Sequence, residues 1–130
     1  MADGPGVLVG LRVLVVEDVA VLAWQVRDAL TDAGAAVAGP VPSVAGALGL
    51  LAEREVDVAV LDMNLNGESA DPVADALAAL GVPFLFLTGY GSGAAEGRHS
   101  GRPILGKPFR AASLIRALAS LMGRGGGREI

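Results

Sequence analysis

The sequence predicts one α/β domain in which helices cover both faces of a five-stranded parallel sheet. Five short apolar runs alternate with segments that are helical in pattern or, in one case, rich in glycine. Hydrophobic residues make up 52% of the chain and aromatic residues only 4%, so Val, Leu and Ala must build the core. That composition is typical of a parallel sheet buried under alanine-rich helices. The length of 130 residues fits a single domain.

The first strand is predicted at residues 12–16, where RVLVV is a β-branched run typical of a strand buried on both faces. Residues 19–32 have helical spacing, and Gly34 provides a C-terminal stop for that helix. A weaker second strand is expected at residues 36–41, because a Gly-Pro pair interrupts its pattern.

The second helix is expected to begin after Ser43, since serine is a favoured N-cap residue. The third strand is predicted at residues 56–61, which read VDVAVL. Residues 64–67 are rich in turn formers. A third helix is predicted to begin at Asp71-Pro72, because proline is favoured in the first helical turn. This helix runs to about residue 80.

The fourth strand is predicted at residues 83–87, PFLFL, and ends at Thr88. Residues 89–102 contain five glycines, so a fourth helix is expected to be weak or disordered. A short fifth strand at residues 104–105 precedes an amphipathic helix at residues 111–122.

These elements place the domain at residues 11–122, between an N-terminal extension at residues 1–10 and a flexible tail at residues 123–130. There is no cysteine, which excludes disulfides and thiolate metal sites. The net charge is −4 and the basic residues are dispersed, which argues against nucleic acid as a partner. No apolar run reaches the ~18 residues of a membrane span, so a cytoplasmic protein with no membrane partner is expected.

Chemically active side chains follow four of the five predicted strands. In parallel sheets, ligands bind beyond the carboxyl ends of the strands, which directs attention to the residues found there. They are Glu17, Asp18, Asp62, Thr88 and Lys107. Carboxylates that converge are compensated by a hard divalent cation with oxygen ligands, and Mg²⁺ is the natural choice. A hydroxyl and an ammonium beside them suit an aspartate that accepts a phosphoryl group.

Each of these residues also has an ordinary structural interpretation. The Glu17-Asp18 pair could cap the first helix, and Asp62 could be a turn former. Thr88 before a glycine and Lys107 before a proline are common at turns and surfaces. The joint pattern of acids after strands one and three, a hydroxyl after strand four and a lysine after strand five favours the functional interpretation.

These motifs identify a family resemblance. The chain resembles the receiver domains of two-component response regulators over residues 11–122, through VLVVED, VAVLDMNLNGE, FLFLTGYG and ILGKPF. The resemblance implies a doubly wound, flavodoxin-like receiver fold. It also implies Mg²⁺-dependent acceptance of a phosphoryl group from a phosphohistidine. Such a domain catalyses only its own phosphorylation and dephosphorylation and is not an enzyme with a separate substrate.

The resemblance assigns roles to individual positions. Asp62 corresponds to the phosphoacceptor, and Thr88 and Lys107 correspond to the phosphoryl-binding pair. The metal-binding positions are Glu17, Asp18, Asp62 and the backbone carbonyl of Asn64. Gly89 matches a position where a small residue leaves room for the phosphoryl group.

The residues around Thr88 are most similar to the F-A-T-G-Y type of receiver, which is found in stand-alone regulators. Asn66 stands where most receivers carry proline, and this fits the same type. Many receivers carry Tyr or Phe three residues before the lysine, whereas this chain has Ile104. A switch at that position in its usual form is therefore not expected. Tyr90 is either its replacement or a half-exposed loop aromatic.

The resemblance implies protein partners: a histidine kinase or a histidine phosphotransfer protein upstream, a protein target downstream, and a dimer linked to phosphorylation. Only eight residues follow Met122, which is too few for an output domain. The alternative is an interaction module that uses the same fold without phosphorylation. A phosphatase is disfavoured because Asn64, and not an acid, stands two residues past Asp62.

Two further side chains carry structural expectations. His99, the only histidine, lies in the glycine-rich segment and is expected to be solvent-exposed. Trp24 on the first helix could pack in the core or face a partner.

Overall fold

The computed structural model describes residues 6–89 and 99–124 and contains the predicted alternation of strands and helices. The elements are β1 (Arg12–Val16), α1 (Ala20–Asp32), β2 (Ala36–Val41), α2 (Val44–Glu53), β3 (Val58–Asp62), β4 (Asn64–Leu65), β5 (Glu68–Ser69), α3 (Asp71–Ala79), β6 (Phe84–Thr88), β7 (Ile104–Gly106) and α4 (Ala111–Leu121).

Five strands form one parallel sheet in the order β2-β1-β3-β6-β7. Counted along the chain, this is the 2-1-3-4-5 order of flavodoxin-like folds. The doubly wound sheet predicted from the sequence is therefore confirmed. The third strand starts and ends slightly later than predicted, at Val58 and Asp62, so the aspartate closes the strand instead of following it.

Each sheet face has its own hydrophobic core, because alternate residues of a strand point to opposite faces. One core is covered by α1 and α4, whose buried residues include Val26, Leu30, Leu114 and Leu118. The other is covered by α2 and α3, and it includes both phenylalanines of β6. Strands β3 and β6 are buried along their full length. This burial fixes the positions of their carboxyl ends.

The predicted turn at residues 64–67 is a small hairpin in which β4 and β5 pair antiparallel. Asn66 and Gly67 at its tip have φ values of 55° and 88°, the left-handed pair that a tight hairpin requires. The Asn64 side-chain oxygen accepts a 2.7 Å hydrogen bond from the Gly67 backbone N–H. The hairpin places Asn64 next to the end of β3.

The described part of the N-terminal extension packs against the domain. The Leu8 side chain is fully buried in the α1–α4 core, and its backbone N–H donates to the Ala33 carbonyl at 2.9 Å. Gly34 ends α1 with φ +95°, and a Cβ there would lie 2.5 Å from a Val9 methyl group. The Arg124 guanidinium donates to the Val9 carbonyl, which joins both ends of the domain.

The expected fourth helix falls largely on residues 90–98, which lie outside the described residues. Residues 99–102 form a turn in which the Arg102 N–H donates to the His99 carbonyl at 3.2 Å. Most of the expected tail, residues 125–130, also lies outside the described part. None of the described helices is long and apolar enough to cross a membrane.

Candidate functional site

Strand register brings the predicted site residues to one edge of the sheet. Val16 pairs with Leu61, so Glu17, one residue further along the chain, stands level with Asp62. Thr88 pairs with Gly106, which places Lys107 just beyond Thr88 on the neighbouring strand. Residues far apart in sequence thus meet because parallel strands end at the same edge.

The Lys107 ammonium connects two buried carboxylates. Its Nζ lies 2.8 Å from Asp62 Oδ2, to which it donates a hydrogen bond, and 3.2 Å from Glu17 Oε1. Asp62 is only 4% exposed and Glu17 only 2%. Such burial is rare for carboxylates that lack a partner, and the lysine compensates part of the desolvation cost.

Glu17 is held in an unfavourable environment for its charge. Burial raises the pKa of its carboxyl from 4.5 to about 7, against the opposing hydrogen bond from the Val19 N–H at 3.0 Å. The nearby Asp62 raises the Glu17 pKa further, while Lys107 lowers it. Glu17 Oε1 is buried without a hydrogen-bond partner, although the lysine charge lies close.

The pKa of Lys107 responds to the same cluster. Burial acts to lower it, but the hydrogen bond to Asp62 and the charges of Glu17 and Asp62 outweigh burial, and the Lys107 pKa is raised. The ammonium form is therefore favoured, and it keeps a fixed positive charge beside the Asp62 carboxylate.

Three carboxylates could hold a metal ion at this edge. Glu17, Asp18 and Asp62 each offer an oxygen, and these oxygens lie within 4.8 Å of one another. The donor set is hard and anionic, and it includes a Glu17 oxygen that lacks a hydrogen bond, so it fits a divalent cation of the Mg²⁺ type. Asp18 is half-buried, which leaves one side of the cluster open to solvent.

A cavity of about 440 Å³ opens beside the cluster. Asp62 lines this cavity, and the Asn64 backbone N–H donates to Asp62 Oδ1 at 3.1 Å. The lining residues are Asp18, Val19, Asp62, Met63, Asn64, Asn66, Thr88, Gly89 and Lys107. The residues predicted for phosphorylation and metal binding therefore all belong to this cavity or to the carboxylate cluster beside it.

Three predicted positions around Thr88 have different outcomes. A Cβ at Gly89 would lie 3.9 Å from Lys107 Cδ, an ordinary contact, and the expectation that a small residue here leaves room for a phosphoryl group stays a prediction. Ile104 is half-buried, pairs with Phe86 and packs on the α2–α3 core. Tyr90 lies outside the described residues, so the expectation for it stays a prediction.

The expectation that His99 is solvent-exposed is wrong. The His99 ring is only 5% exposed, and its Nε2 lies 2.8 Å from Asp75 Oδ1 on α3. It packs edge-on against Phe84 and Phe86, with centroid distances of 5.8 and 6.4 Å. Its partners on α3 and β6 are distant in sequence, so the residues around His99 carry no signal of this burial.

Trp24 lies at the surface of α1 and not in the core. The Arg27 guanidinium stacks over its ring at 4.0 Å from the centroid. Of the two interpretations left open by the sequence, core packing is excluded.

Comparison with known proteins gave matches among solved structures, whereas no protein-family model and no curated protein matches the chain. SdrG from Sphingomonas melonis Fr1 is 39% identical with a TM-score of 0.77, over 89% of this chain and 98% of that one. The BeF3-activated conformation of SdrG from Pseudomonas melonis Fr1 is 39% identical with a TM-score of 0.73, over 85% and 95%. A response regulator receiver protein from Sinorhizobium medicae WSM419 is 28% identical with a TM-score of 0.77, over 87% and 94%.

Proposed function

The chain belongs to the response regulator receiver domains of two-component systems, and on this premise we propose that it is a phosphorylation switch with Asp62 as phosphoacceptor. Receiver domains are signalling modules and do not turn over a separate substrate. The observation that carries the proposal is the environment of Asp62. Its carboxylate is buried, faces a cavity and lies 2.8 Å from the Lys107 ammonium.

The proposed reaction transfers a phosphoryl group from a phosphohistidine to a carboxylate oxygen of Asp62. The P–N bond breaks, a P–O bond forms, and the imidazole leaves with the electron pair of the broken bond. During the transfer, the Lys107 ammonium neutralises charge on the phosphoryl oxygens, and the Thr88 hydroxyl donates a hydrogen bond to one of these oxygens. Both groups line the cavity that the phosphoryl group would enter.

The acidic cluster supports Mg²⁺ as the cofactor. Asp18, Asp62 and the Asn64 carbonyl would be direct ligands, and Glu17 would act through water. When bound, Mg²⁺ would supply positive charge against the phosphoryl oxygens. The carboxylates bring the negative charge that attracts the cation, and Asn64 lines the cavity beside Asp62.

The proposed partners follow from this chemistry. A histidine kinase or a histidine phosphotransfer protein supplies the phosphoryl group, and the signal leaves through contacts with a protein target or a second copy of the chain. The phosphorylated side chain carries about −1.5 to −2 charges, enough to bias a local conformational equilibrium. Dephosphorylation is proposed to be self-catalysed by the same site.

The direct test uses acetyl phosphate with Mg²⁺ as a small phosphoryl donor. The wild-type protein is expected to acquire one hydroxylamine-sensitive phosphoryl group, and Asp62→Ala is expected to acquire none. Asp57→Ala is the matched control, since Asp57 lies just before the same strand at its opposite end. No labelling of the wild type, or labelling that persists in Asp62→Ala, favours the interaction module without phosphorylation.

A further inference from the structure

The contact between His99 and Asp75 joins two parts of the chain that flank the site. Asp75 lies on α3, which begins just after the β4–β5 hairpin beside Asp62. His99 lies on the connection that runs from Thr88 at the end of β6 to Lys107 after β7. The 2.8 Å distance between Nε2 and Oδ1 therefore ties the turn at residues 99–102 to α3.

Ring packing extends the contact toward the site. The His99 ring covers Phe86, which precedes Thr88 by two residues on β6. The Arg102 guanidinium, in the same turn, stacks over the Phe84 ring at 4.3 Å from its centroid. A shift of the end of β6 toward Asp62 would therefore move the surface against which His99 packs.

Only one of the two ring nitrogens of His99 has a hydrogen-bond partner. Because a carboxylate only accepts hydrogen bonds, the His99 Nε2 must carry the proton that is donated to Asp75. The other ring nitrogen, Nδ1, is buried without any hydrogen-bond partner. An unsatisfied buried nitrogen costs free energy that water would recover if the ring were released. This cost offsets part of what the bond to Asp75 and the ring packing contribute to holding His99 in place.

We propose that the His99–Asp75 contact holds the unphosphorylated conformation of the domain and that phosphorylation of Asp62 releases it. The proposal rests on the proposed function, and it names the element through which the signal would leave the site. The position that carries an aromatic switch in many receivers is the aliphatic Ile104 here. His99 instead provides a buried ring against β6, the strand that ends at Thr88.

The energetic link follows from the two states. In the structure, where the Asp62 carboxylate accepts a hydrogen bond from Lys107, the His99–Asp75 contact is formed. A phosphoryl group on Asp62 would draw Thr88 and Lys107, which lie on either side of His99 in the chain. If that movement disfavours the contact, loss of the contact must favour occupation of the site by the same factor, since coupling is reciprocal.

The test measures binding of beryllofluoride with Mg²⁺, a phosphoryl mimic, to the full chain. Asp75→Ala and His99→Ala are each expected to raise the affinity roughly three- to tenfold, a coupling of ordinary size. The double variant is expected to gain less than the sum of the two single effects, because both changes remove the His99–Asp75 contact. In the wild type, amide NMR signals of residues 99–102 are expected to move toward their positions in Asp75→Ala when the mimic binds.

Controls separate this proposal from the proposed function and from misfolding. Asp71→Ala removes a carboxylate one turn away on α3 and is expected to leave the affinity within about twofold, a change that converts to under 0.5 kcal/mol. Unchanged or lowered affinity in Asp75→Ala, or an equal gain in Asp71→Ala, overturns the contact's role. A wild type that does not bind beryllofluoride overturns the proposed function instead. Asp75→Ala alters a half-exposed side chain and carries the test if His99→Ala fails to fold.

Discussion

Asp57 and Asp62 stand at opposite ends of β3, and their surroundings differ in almost every respect. Asp57 is exposed, and its Oδ2 accepts a 2.8 Å hydrogen bond from the Arg12 backbone N–H. Asp62 is buried, and its Oδ2 accepts a hydrogen bond of the same length from the Lys107 ammonium. Asp57 accepts a backbone hydrogen bond where β1 and β3 begin, whereas Asp62 belongs to a buried cluster beside a cavity.

The strands begin at one edge of the sheet, the amino edge, and end at the other, the carboxyl edge. The two edges differ in how deeply their charged side chains are buried and how closely these side chains approach one another, and not in residue type. The amino edge also carries charged side chains: Asp57 accepts from the Arg12 backbone N–H, and the Arg12 guanidinium donates to the Glu55 backbone carbonyl. These groups are exposed and satisfy backbone atoms, so their charges are screened by solvent. At the carboxyl edge Glu17 and Asp62 are buried, and the charges of this cluster shift the pKa values of Glu17 and Lys107.

The largest expected effect is the loss of the Lys107 cation at the carboxyl edge, compared with the loss of the Arg12 cation at the amino edge. Lys107→Ala is expected to lower the rate of Asp62 phosphorylation by acetyl phosphate about 100- to 1,000-fold, because it removes a preorganised charge beside the reacting oxygens. Arg12→Ala, at the amino edge, is expected to change this rate by less than about twofold, under 0.5 kcal/mol. The measurement is the initial rate of hydroxylamine-sensitive labelling at saturating Mg²⁺. Equal losses in both variants would remove the distinction between the edges.

The next largest effect is on stability at the amino edge. Leu8→Ala is expected to reduce the free energy of unfolding by about 3 kcal/mol, because it leaves a cavity in a core where Leu8 is fully buried. Urea unfolding followed by circular dichroism measures the loss. The exposed neighbour is the control, since Val9→Ala is expected to change stability by less than about 0.5 kcal/mol. A phosphorylation rate that falls along with stability would show that this edge also supports the chemistry.

The contrast between these two edges also explains what the sequence could reveal. Strand ends are marked by local patterns, and parallel topology then forces Glu17, Asp62 and Lys107 together without any knowledge of side-chain packing. The burial of Leu8 depends on how far the extension folds back over the end of α1, which no local pattern encodes. The domain start expected at residue 11 therefore leaves Leu8 outside the domain, although Leu8 packs in its core.

The His99–Asp75 contact was hidden for a related reason. Glycines around His99 indicate a loop, and loops are usually exposed. The ring is buried because it packs edge-on against Phe84 and Phe86 and because Asp75, 24 residues earlier, supplies an acceptor. Both conditions are tertiary, so residue type and neighbouring sequence predicted the opposite environment.

A third prediction concerns pH and Glu17. Its folded-state pKa of about 7 lies above its ordinary value of 4.5, so the protonated side chain stabilises the fold. That contribution is complete below about pH 4.5 and is lost as the pH rises through about 7. In EDTA, wild type is expected to lose about 1–2 kcal/mol of stability relative to Glu17→Gln between about pH 5 and about pH 8.

Chemical unfolding at each pH measures this difference. Glu55→Gln at the exposed amino edge is the control, and its stability relative to wild type is expected to stay within about 0.5 kcal/mol over the same range. A Glu17→Gln variant that becomes relatively less stable as the pH rises would show that Lys107 compensates the Glu17 charge fully. Added Mg²⁺ is expected to shrink the wild-type loss, because it favours the ionised cluster.

The smallest expected effect tests whether a position at the carboxyl edge is enough to give a residue a role in the chemistry. Ser43 lies at this edge, two residues after β2, and its Oγ accepts a 3.0 Å hydrogen bond from the Gly46 N–H as the N-cap of α2. Ser43→Ala is expected to cost about 1 kcal/mol of unfolding free energy. It is expected to leave the labelling rate unchanged, because Ser43 does not line the cavity beside Asp62. Ser120→Ala on the exposed face of α4 is the control for stability. A Ser43→Ala variant that slows labelling as much as Lys107→Ala does would contradict this expectation. The reactive site would then include residues along the whole carboxyl edge and not only the buried cluster around Asp62.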